Sequence, residues 1–182
     1  MKTIIILCEI SGTVRDAFRK RGHDAYSVDI LPSSNPYHLQ CSITEDTWNR
    51  ADLVIAHPPC TWICVSGNRH YAGTVWREIS ANFIQWIWNL KHDQLCIENP
   101  VGQINTYLPS MPKPQYIQPW MFGHGETKKT GLWKRGLPDL VPTKVVQGRE
   151  QRIWKMPPNS SRSADRSITY QGIADAMAEQ WG

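Results

Sequence analysis

The chain has 182 residues, a net charge of +4 and 41% hydrophobic residues, which excludes a disordered chain and suits a single globular domain. No apolar run approaches the roughly 20 residues of a membrane span, so no membrane segment is expected. The five cysteines lack the rhythm of a disulfide framework, which favours a reducing, cytoplasmic location.

The first part of the chain alternates strands and helices. Residues 3–8 are β-branched and apolar, which predicts a central parallel strand rather than a signal peptide. A helix is expected over 13–21 and a second strand over 24–30, with Asp29 at its end. Residues 32–38 are rich in Pro, Ser and Asn, which indicates a loop.

The same alternation continues through the middle of the chain. Residues 52–57 predict another buried strand, and 95–97 a short strand that ends at the sequence Glu98-Asn99-Pro100. Between them, residues 74–90 predict a helix. One face of that helix is rich in tryptophan and other apolar residues, namely Trp76, Phe83, Trp86, Ile87 and Leu90.

After residue 102 the chain becomes Pro-rich and less regular. Short strands are expected near 115–119, 131–134 and 150–155. A final helix is expected over 172–181, where Ile173, Met177 and Trp181 recur at helical spacing. The overall pattern predicts an α/β fold.

Positive charge is concentrated towards the C-terminus. Residues 126–166 hold ten Lys or Arg and four Asp or Glu, a net charge of +6, so the rest of the chain carries −2. Trp120, Trp133 and Trp154 are interleaved with these cations. Such a segment suits a phosphate-bearing partner, either nucleic acid or a nucleotide. A solvated surface with a few core tryptophans is the alternative.

The turn after the first strand suggests a nucleoside site. A turn with a small residue lets a ligand approach the strand, and an acid ending the second strand can accept both ribose hydroxyls. Ser11, Gly12 and Asp29 stand at these places. One glycine does not make the G-x-G-x-x-G fingerprint of a dinucleotide, so an adenosyl cofactor without phosphates fits better. Alternatively, Asp29 is only a turn or cap acid.

Residues 53–60 carry a buried apolar strand into His57-Pro58-Pro59-Cys60. The prolines fix the turn, so Cys60 is held in one place, where it is either a nucleophile or a small core residue. Glu98 follows another strand at the same predicted edge. A thiolate and a carboxyl group there could add sulfur to C6 of a pyrimidine and let C5 accept a methyl group.

Five segments in this order resemble the cytosine-C5 methyltransferases, and more closely their short phage and prophage members. They are Cys8-Glu9-Ile10-Ser11-Gly12, Asp29, Pro58-Pro59-Cys60, Glu98-Asn99-Pro100-Val101 and Gly172-Ile173-Ala174. The resemblance covers nearly the whole chain. It implies a Rossmann-like methyltransferase fold that uses S-adenosylmethionine to methylate cytosine in DNA.

The resemblance also implies residue roles. Cys60 is expected to be the covalent nucleophile and Glu98 the group that activates the ring. We expect one domain over 1–182, with a cofactor and catalytic half over 1–102 and a basic, substrate-facing half over 103–182. Expected cofactor contacts are Glu9, Ile10, Ser11, Gly12, Asp29, Ile30, His57 and Pro58, and expected substrate contacts are Pro59, Asn99, Arg152, Arg162 and Arg166.

The chain departs from the family pattern at several positions. Ile10 replaces an aromatic residue, Cys8 stands where an acid is common, and Cys41-Ser42-Ile43 replaces a Gly-Asp-Ile segment. The Gln-x-Arg-x-Arg strand has only candidate counterparts, which are Gln151-Arg152, or Arg162 with Arg166. The chain has no room for a large target-recognition domain. It is therefore expected to have low sequence preference, a partner subunit, or a substrate other than long duplex DNA.

Other interpretations remain open. The same thiol and carboxyl chemistry would serve an enzyme that modifies pyrimidine nucleotides with another one-carbon donor, and a non-catalytic phage protein could bind nucleic acid or nucleotide. Residues 118–124 either stack on a base or cover the sheet, and 128–130 either hold a phosphate or form a solvated loop. Arg162, Arg166 and Ser167 suggest a loop that orders on binding. Zinc is not expected, because Cys60 and Cys64 lack paired CxxC spacing.

Overall fold

The structure is a computed structural model that describes residues 1–157 and 162–182. Its strands are β1 (Thr3–Leu7), β2 (Asp24–Asp29), β3 (His38–Gln40), β4 (Leu53–Ala56), β5 (Leu95–Pro100), β6 (Gln115–Ile117) and β7 (Thr130–Arg135). Its helices are α1 (Thr13–Lys20), α2 (Asn68–Tyr71), α3 (Val75–Trp88), α4 (Ile104–Tyr107), α5 (Arg152–Lys155), α6 (Arg162–Ser167) and α7 (Gln171–Trp181).

In the described part of the chain, the strands form one seven-stranded sheet in the order β3-β2-β1-β4-β5-β7-β6. Strands β1 to β5 are parallel, whereas β7 runs antiparallel between β5 and β6. The chain moves outward from β1 to β3 and then returns to place β4 on the other side of β1. This reversal creates a switch point at the carboxyl ends of β1 and β4, which is where open α/β sheets bind ligands.

Helices cover both faces of the sheet, because alternate residues of each central strand point to opposite sides. On one face, Ile4, Ile6, Leu53 and Ile55 pack with residues of α1 and α7. On the other face, Ile5, Leu7, Val54 and Ala56 pack with residues of α3 and α4. The central strands are therefore buried on both sides, which accounts for their continuous apolar sequences.

The α/β prediction is confirmed, as are the predicted strands and helices over the first hundred residues, β6, β7 and the final helix. Strand β5 is longer than expected, because its antiparallel pairing with β7 runs from Leu95 to Pro100. Glu98 and Asn99 thus lie inside a strand rather than after it. The short strand β3 and the one-turn helices α2 and α4 were not predicted.

Three expectations were wrong in detail. The region 150–155 contains helix α5 instead of a strand, where a single buried side chain, Ile153, fixes one helical turn. Arg162 to Ser167 form helix α6 rather than an irregular loop, and Asp165 in the first turn and Arg166 in the last suit the helix dipole. In α3, Trp76 and Trp86 are exposed, because Ala81, Ile84 and Ile87 form the buried side instead.

A buried arginine ties the start of α1 to β2. Arg15 is only 2% exposed, and its guanidinium donates to both carboxylate oxygens of Asp16 and, at 2.8 Å, to the hydroxyl of Ser27. Ser27 is hydrogen-bonded in turn to His38 of β3 at 3.0 Å. These hydrogen bonds therefore join α1, β2 and β3 beside the switch point.

We expect Gly12→Ala to lower the free energy of unfolding more than Gly22→Ala does. Both glycines have a positive φ, +72° and +84°, so alanine costs about 1 kcal/mol at each from backbone conformation. A Cβ at Gly12 would also lie 2.0 Å from the guanidinium of Arg15, whereas one at Gly22 would meet nothing within 4 Å. Urea denaturation of both variants gives the difference, and equal losses would show that Arg15 moves aside freely.

Candidate active site

The turn after β1 is built around a buried carboxylate. Glu9 is 4% exposed and accepts hydrogen bonds from the backbone N–H groups of Val14, at 2.7 Å, and Arg15, at 3.3 Å. The hydroxyl of Ser11 accepts from the N–H of Thr13 at 3.4 Å. The free N–H groups of the first turn of α1 therefore donate to the chain's own side chains, so they are not available to bind a phosphate.

Asp29 lies beside this turn, at the carboxyl end of β2. One of its carboxylate oxygens accepts from the N–H of Leu31 at 2.9 Å. Two exposed apolar side chains occupy the same edge, Ile10 at 37% and Ile30 at 70% exposure. Cys8 ends β1 with φ of 58°, and burial, with a smaller contribution from Asp29, raises the pKa of its thiol to about 12. The predicted cofactor residues thus share one edge, and their role stays a prediction.

The Pro-Pro turn places Cys60 at the neighbouring strand end. Pro58 is buried, Pro59 is exposed and Cys60 is half-buried. The fully buried Asn99 donates from its side-chain amide to the carbonyl of Pro58 at 2.9 Å, so β5 holds the turn that follows β4. Asn99, expected to contact the substrate, thus has a contact that holds the loop, and its substrate role stays a prediction.

His57 and Glu98 meet across β4 and β5. The register pairs Ala56 with Ile97, so the next residue on each strand is also adjacent. Nδ1 of His57 lies 3.0 Å from Oε2 of Glu98, and the two side chains are 10% and 11% exposed. His57, predicted to line a cofactor, is therefore in direct contact with the carboxyl group that was predicted to activate a base.

The pair is held in its charged form. Burial alone would lower the pKa of His57, but the hydrogen bond and the charge of Glu98 outweigh it, so this pKa lies above its ordinary value. Burial alone would raise the pKa of Glu98, but the hydrogen bond from His57 and the positive charges of Lys128 and His57 hold it below its ordinary value. Both shifts favour the ion pair of an imidazolium and a carboxylate.

Cys60 has a second thiol beside it. The N–H of Cys64 donates to the carbonyl of Cys60 at 2.9 Å, which closes one helical turn and puts both side chains on one face. The two thiols are hydrogen-bonded to each other, and Sγ of Cys64 also lies 2.9 Å from the hydroxyl of Ser66. Backbone N–H groups of Ser66 and Gly67 point at the same sulfur.

These donors favour one negative charge on the thiol pair. Hydrogen bonds from Cys60, Ser66 and the backbone of Gly67 lower the pKa of Cys64, although burial opposes them. The hydrogen bond to Cys64, burial and the charge of Cys64 together raise the pKa of Cys60. Both shifts favour a proton on Cys60 and a negative charge on Cys64.

Two residues that sequence reasoning had placed elsewhere face this site from the start of β7. Lys128, expected to hold a phosphate or lie in a solvated loop, contributes a positive charge that lowers the pKa of both Glu98 and Cys60. Thr130 is 2% exposed, and its hydroxyl acts in the same direction on Glu98. The antiparallel pairing of β5 with β7, which has no local sequence signal, brings them there.

The predicted substrate arginines lie in the basic C-terminal region. Arg152 donates to Glu126 at 2.9 Å, and Tyr170 donates to the same carboxylate oxygen at 2.6 Å. Arg162 has a buried Nε without a partner in the described residues, and Arg166 is half-buried in α6. The structure therefore assigns Arg152 a contact within the protein, and the substrate roles of all three stay predictions.

The run 118–124 is buried at Pro119 and Phe122 and half-buried elsewhere. Phe122 is 2% exposed, and Nε2 of His124 accepts from the N–H of Gly172 at 3.0 Å. Trp120 carries the guanidinium of Arg149 at 3.9 Å from its ring centre. Over the described ranges no cluster of three or more His, Cys, Asp or Glu side chains is placed to hold a metal ion. Nor does any helix in those ranges have the length and apolar character to cross a membrane.

Comparison with solved structures shows a methyltransferase fold. A candidate DNA modification methyltransferase encoded within a prophage of E. coli superposes with a TM-score of 0.54 at 13% identity, over 80% of this chain and 52% of that one. The Dnmt2 methyltransferase of S. pombe gives a TM-score of 0.47 at 14% identity, over 86% and 55%. The chain thus spans about half the length of either structure.

Comparisons with family models and with curated proteins found no match. The sheet topology and the similarity to the prophage structure show the fold of the Rossmann-like methyltransferases, which agrees with the sequence prediction.

The thiol pair predicts a thiolate at neutral pH. Because the pKa of Cys64 is lowered, its thiolate forms below the pH at which an ordinary cysteine ionises. Absorbance at 240 nm, followed from pH 4 to 9, should show about one thiolate per chain by neutral pH. Cys64→Ala should remove that step and the control Cys41→Ala should retain it, since Cys41 is exposed and distant in sequence. An unchanged step in Cys64→Ala would contradict the assignment.

Proposed function

We propose that this protein is a cytosine-C5 methyltransferase that acts on DNA and uses S-adenosylmethionine. The observation that carries the proposal is the meeting of a cysteine and a buried, hydrogen-bonded carboxylate at adjacent strand ends of a methyltransferase fold. Cys60 follows β4, Glu98 lies near the carboxyl end of the neighbouring strand β5, and the predicted cofactor turn follows β1 on the other side of β4.

The first step is nucleophilic addition. Cys60 passes its proton to the thiolate of Cys64, and its sulfur bonds to C6 of the cytosine ring. Glu98 orients the base by accepting a hydrogen bond from its N4 amino group, and the positive charges of His57 and Lys128 beside it offset the negative charge that develops on the ring. The electron pair released from the C5–C6 double bond makes C5 nucleophilic.

The second step resolves the adduct. S-adenosylmethionine, when bound, supplies the methyl group that C5 accepts. Water takes the proton from C5, the double bond re-forms and the C6–S bond breaks, so Cys60 leaves as a thiolate and recovers its proton from Cys64. The thiol pair is thus returned to its starting state, with one proton shared between two sulfur atoms.

The residues at the β1 and β2 ends fit an adenosyl group without phosphates. Glu9 and Ser11 already bind the N–H groups of the first turn of α1, so a pyrophosphate would meet a carboxylate rather than free donors. Asp29 has a carboxylate oxygen left to accept ribose hydroxyls. Ile10 and Ile30 offer exposed apolar surface for a base.

The basic C-terminal region supports a nucleic-acid substrate. Residues 126–166 carry a net charge of +6, and Trp154 is 75% exposed among these cations. Such surfaces bind phosphate backbones, while exposed aromatic rings stack on bases. A cytosine in duplex DNA must be flipped out, because C6 is inaccessible inside the base stack. All five cysteines are free, which suits a reducing cytoplasm.

A covalent adduct tests the mechanism. Wild-type protein incubated with S-adenosylmethionine and an oligonucleotide containing 5-fluorocytosine should form an adduct visible by intact-protein mass spectrometry, because fluorine cannot leave as a proton would. Cys60→Ala should form none, and Cys41→Ala should react like the wild type. Glu98→Gln should react more slowly by about 100-fold or more, since it cannot carry the charge.

The substrate form decides among the alternatives. Adduct formation with 5-fluorodeoxycytidine monophosphate but with no oligonucleotide would replace DNA by a free nucleotide. A folded wild-type protein that binds oligonucleotide and forms no adduct with any of these substrates would refute the enzyme and favour a binding protein.

Cofactor binding gives an independent test. Asp29→Ala should weaken S-adenosylmethionine about 10-fold in isothermal titration calorimetry, because a hydrogen bond to a charged group is lost. Asp24→Ala is the matched control, since Asp24 begins the same strand at the opposite edge and contacts Arg19. Equal affinity of Asp29→Ala and the wild type would remove Asp29 from the site.

A further inference from the structure

The ring of His57 has a single hydrogen-bond partner among the described residues. Its Nδ1 is bonded to Glu98 at 3.0 Å, while its Nε2 is buried and has no hydrogen-bond partner in the described residues. Buried polar atoms are nearly always paired in folded proteins, so a ring with one anchored and one unpaired nitrogen is unusual. The ring therefore responds to the state of Glu98 and not to a second protein group.

The strand geometry places the His57–Glu98 contact next to the predicted nucleophile, Cys60. His57 directly follows β4, and Cys60 lies three residues after His57. The position of Cys60 relative to His57 therefore depends on the Pro-Pro turn between them. Glu98 stands opposite on β5, and Asn99, the next residue, holds the turn through Pro58. Any change in the His57–Glu98 contact therefore acts within the same unit that positions the nucleophile.

We propose that His57 is a positioning residue which, as an imidazolium, keeps Glu98 ionised and oriented toward the base. The proposal rests on the function proposed above and adds a residue to it. His57 neutralises the carboxylate, so the site accepts the negative charge that sulfur addition places on the ring. It does so through Glu98 and is not itself a proton donor to the substrate.

The charges around His57 determine the direction of its pH dependence. In the described residues, Glu98 on β5 and Glu9 after β1 raise its pKa, while Lys128 before β7 lowers it. The imidazolium consequently persists above the ordinary pKa of histidine and is lost only as the pH rises through the raised value. Replacing His57 by an uncharged residue removes a cation from Glu98, so the carboxylate should take up a proton at a higher pH than in the wild type.

The first measurement needs no catalysis. NMR titration of the His57 ring in the wild type should give a pKa above its ordinary value, and Glu98→Gln should lower it by about one unit or more, because the main opposition to burial is then removed. A His57 pKa that is equal in the two proteins would overturn the proposal. This result is independent of whether cytosine is the substrate.

The second measurement follows 5-fluorocytosine adduct formation against pH in the wild type, His57→Asn and His57→Ala. Asn can still donate a hydrogen bond to Glu98 but carries no charge. In His57→Asn, the acid limb, which is the fall in rate on the acidic side of the pH profile, should move to higher pH by about one unit or more. Most of the rate should be recovered at alkaline pH. His57→Ala should show the same shift and a lower plateau, because the carboxylate also loses its orientation.

Matched acid limbs in wild type and His57→Asn would overturn the proposal, whatever the plateau rates. Thermal melting of each variant separates a folding defect from a shifted limb, since unfolding lowers the rate at every pH. If the wild type forms no adduct, the proposed function fails, and the NMR titration alone decides the coupling between His57 and Glu98.

Discussion

The hydrogen bond between His57 and Glu98 joins two ionisable side chains that are about nine-tenths buried. Removing one member of such a pair typically costs about 3–5 kcal/mol, because the other charge is left buried without compensation. The two residues can meet because β4 and β5 are parallel neighbours in register. The site therefore depends on the order of the central strands more than on any loop conformation.

The other side of the switch point is determined by a helix that binds its own carboxylate. In Rossmann-type folds the first helix N-terminus is a phosphate site. Here Glu9 occupies the N–H groups of that turn, and Arg15, in the same turn, is fully engaged with Asp16 and Ser27. This turn therefore leaves no free N–H groups for a phosphate, because the buried carboxylate of Glu9 occupies them.

Sequence patterns predicted the parallel strands well, because β1, β4 and β5 are continuous apolar runs that end at turn residues. They also predicted that Cys60 and Glu98 share one edge, since strand ends of a parallel sheet meet there. They failed where pairing is non-local. The placement of Lys128 and Thr130 beside Glu98 follows from the antiparallel insertion of β7, and the short helix α5 has a single buried side chain, Ile153.

The charges of the Cys60–Cys64 and His57–Glu98 pairs and of Lys128 balance one another. The pKa shifts favour one negative charge on the Cys60–Cys64 pair and opposite charges on Glu98 and His57, and Lys128 adds one positive charge. In the proposed reaction, sulfur addition moves a proton from Cys60 to Cys64 and places a negative charge on the ring, which the positive charges of His57 and Lys128 offset. The β1–β2 side instead presents the carboxyl groups of Glu9 and Asp29. That asymmetry suits a cationic methyl donor on one side and an uncharged base on the other, so the charges themselves separate the two ligands of the proposed reaction.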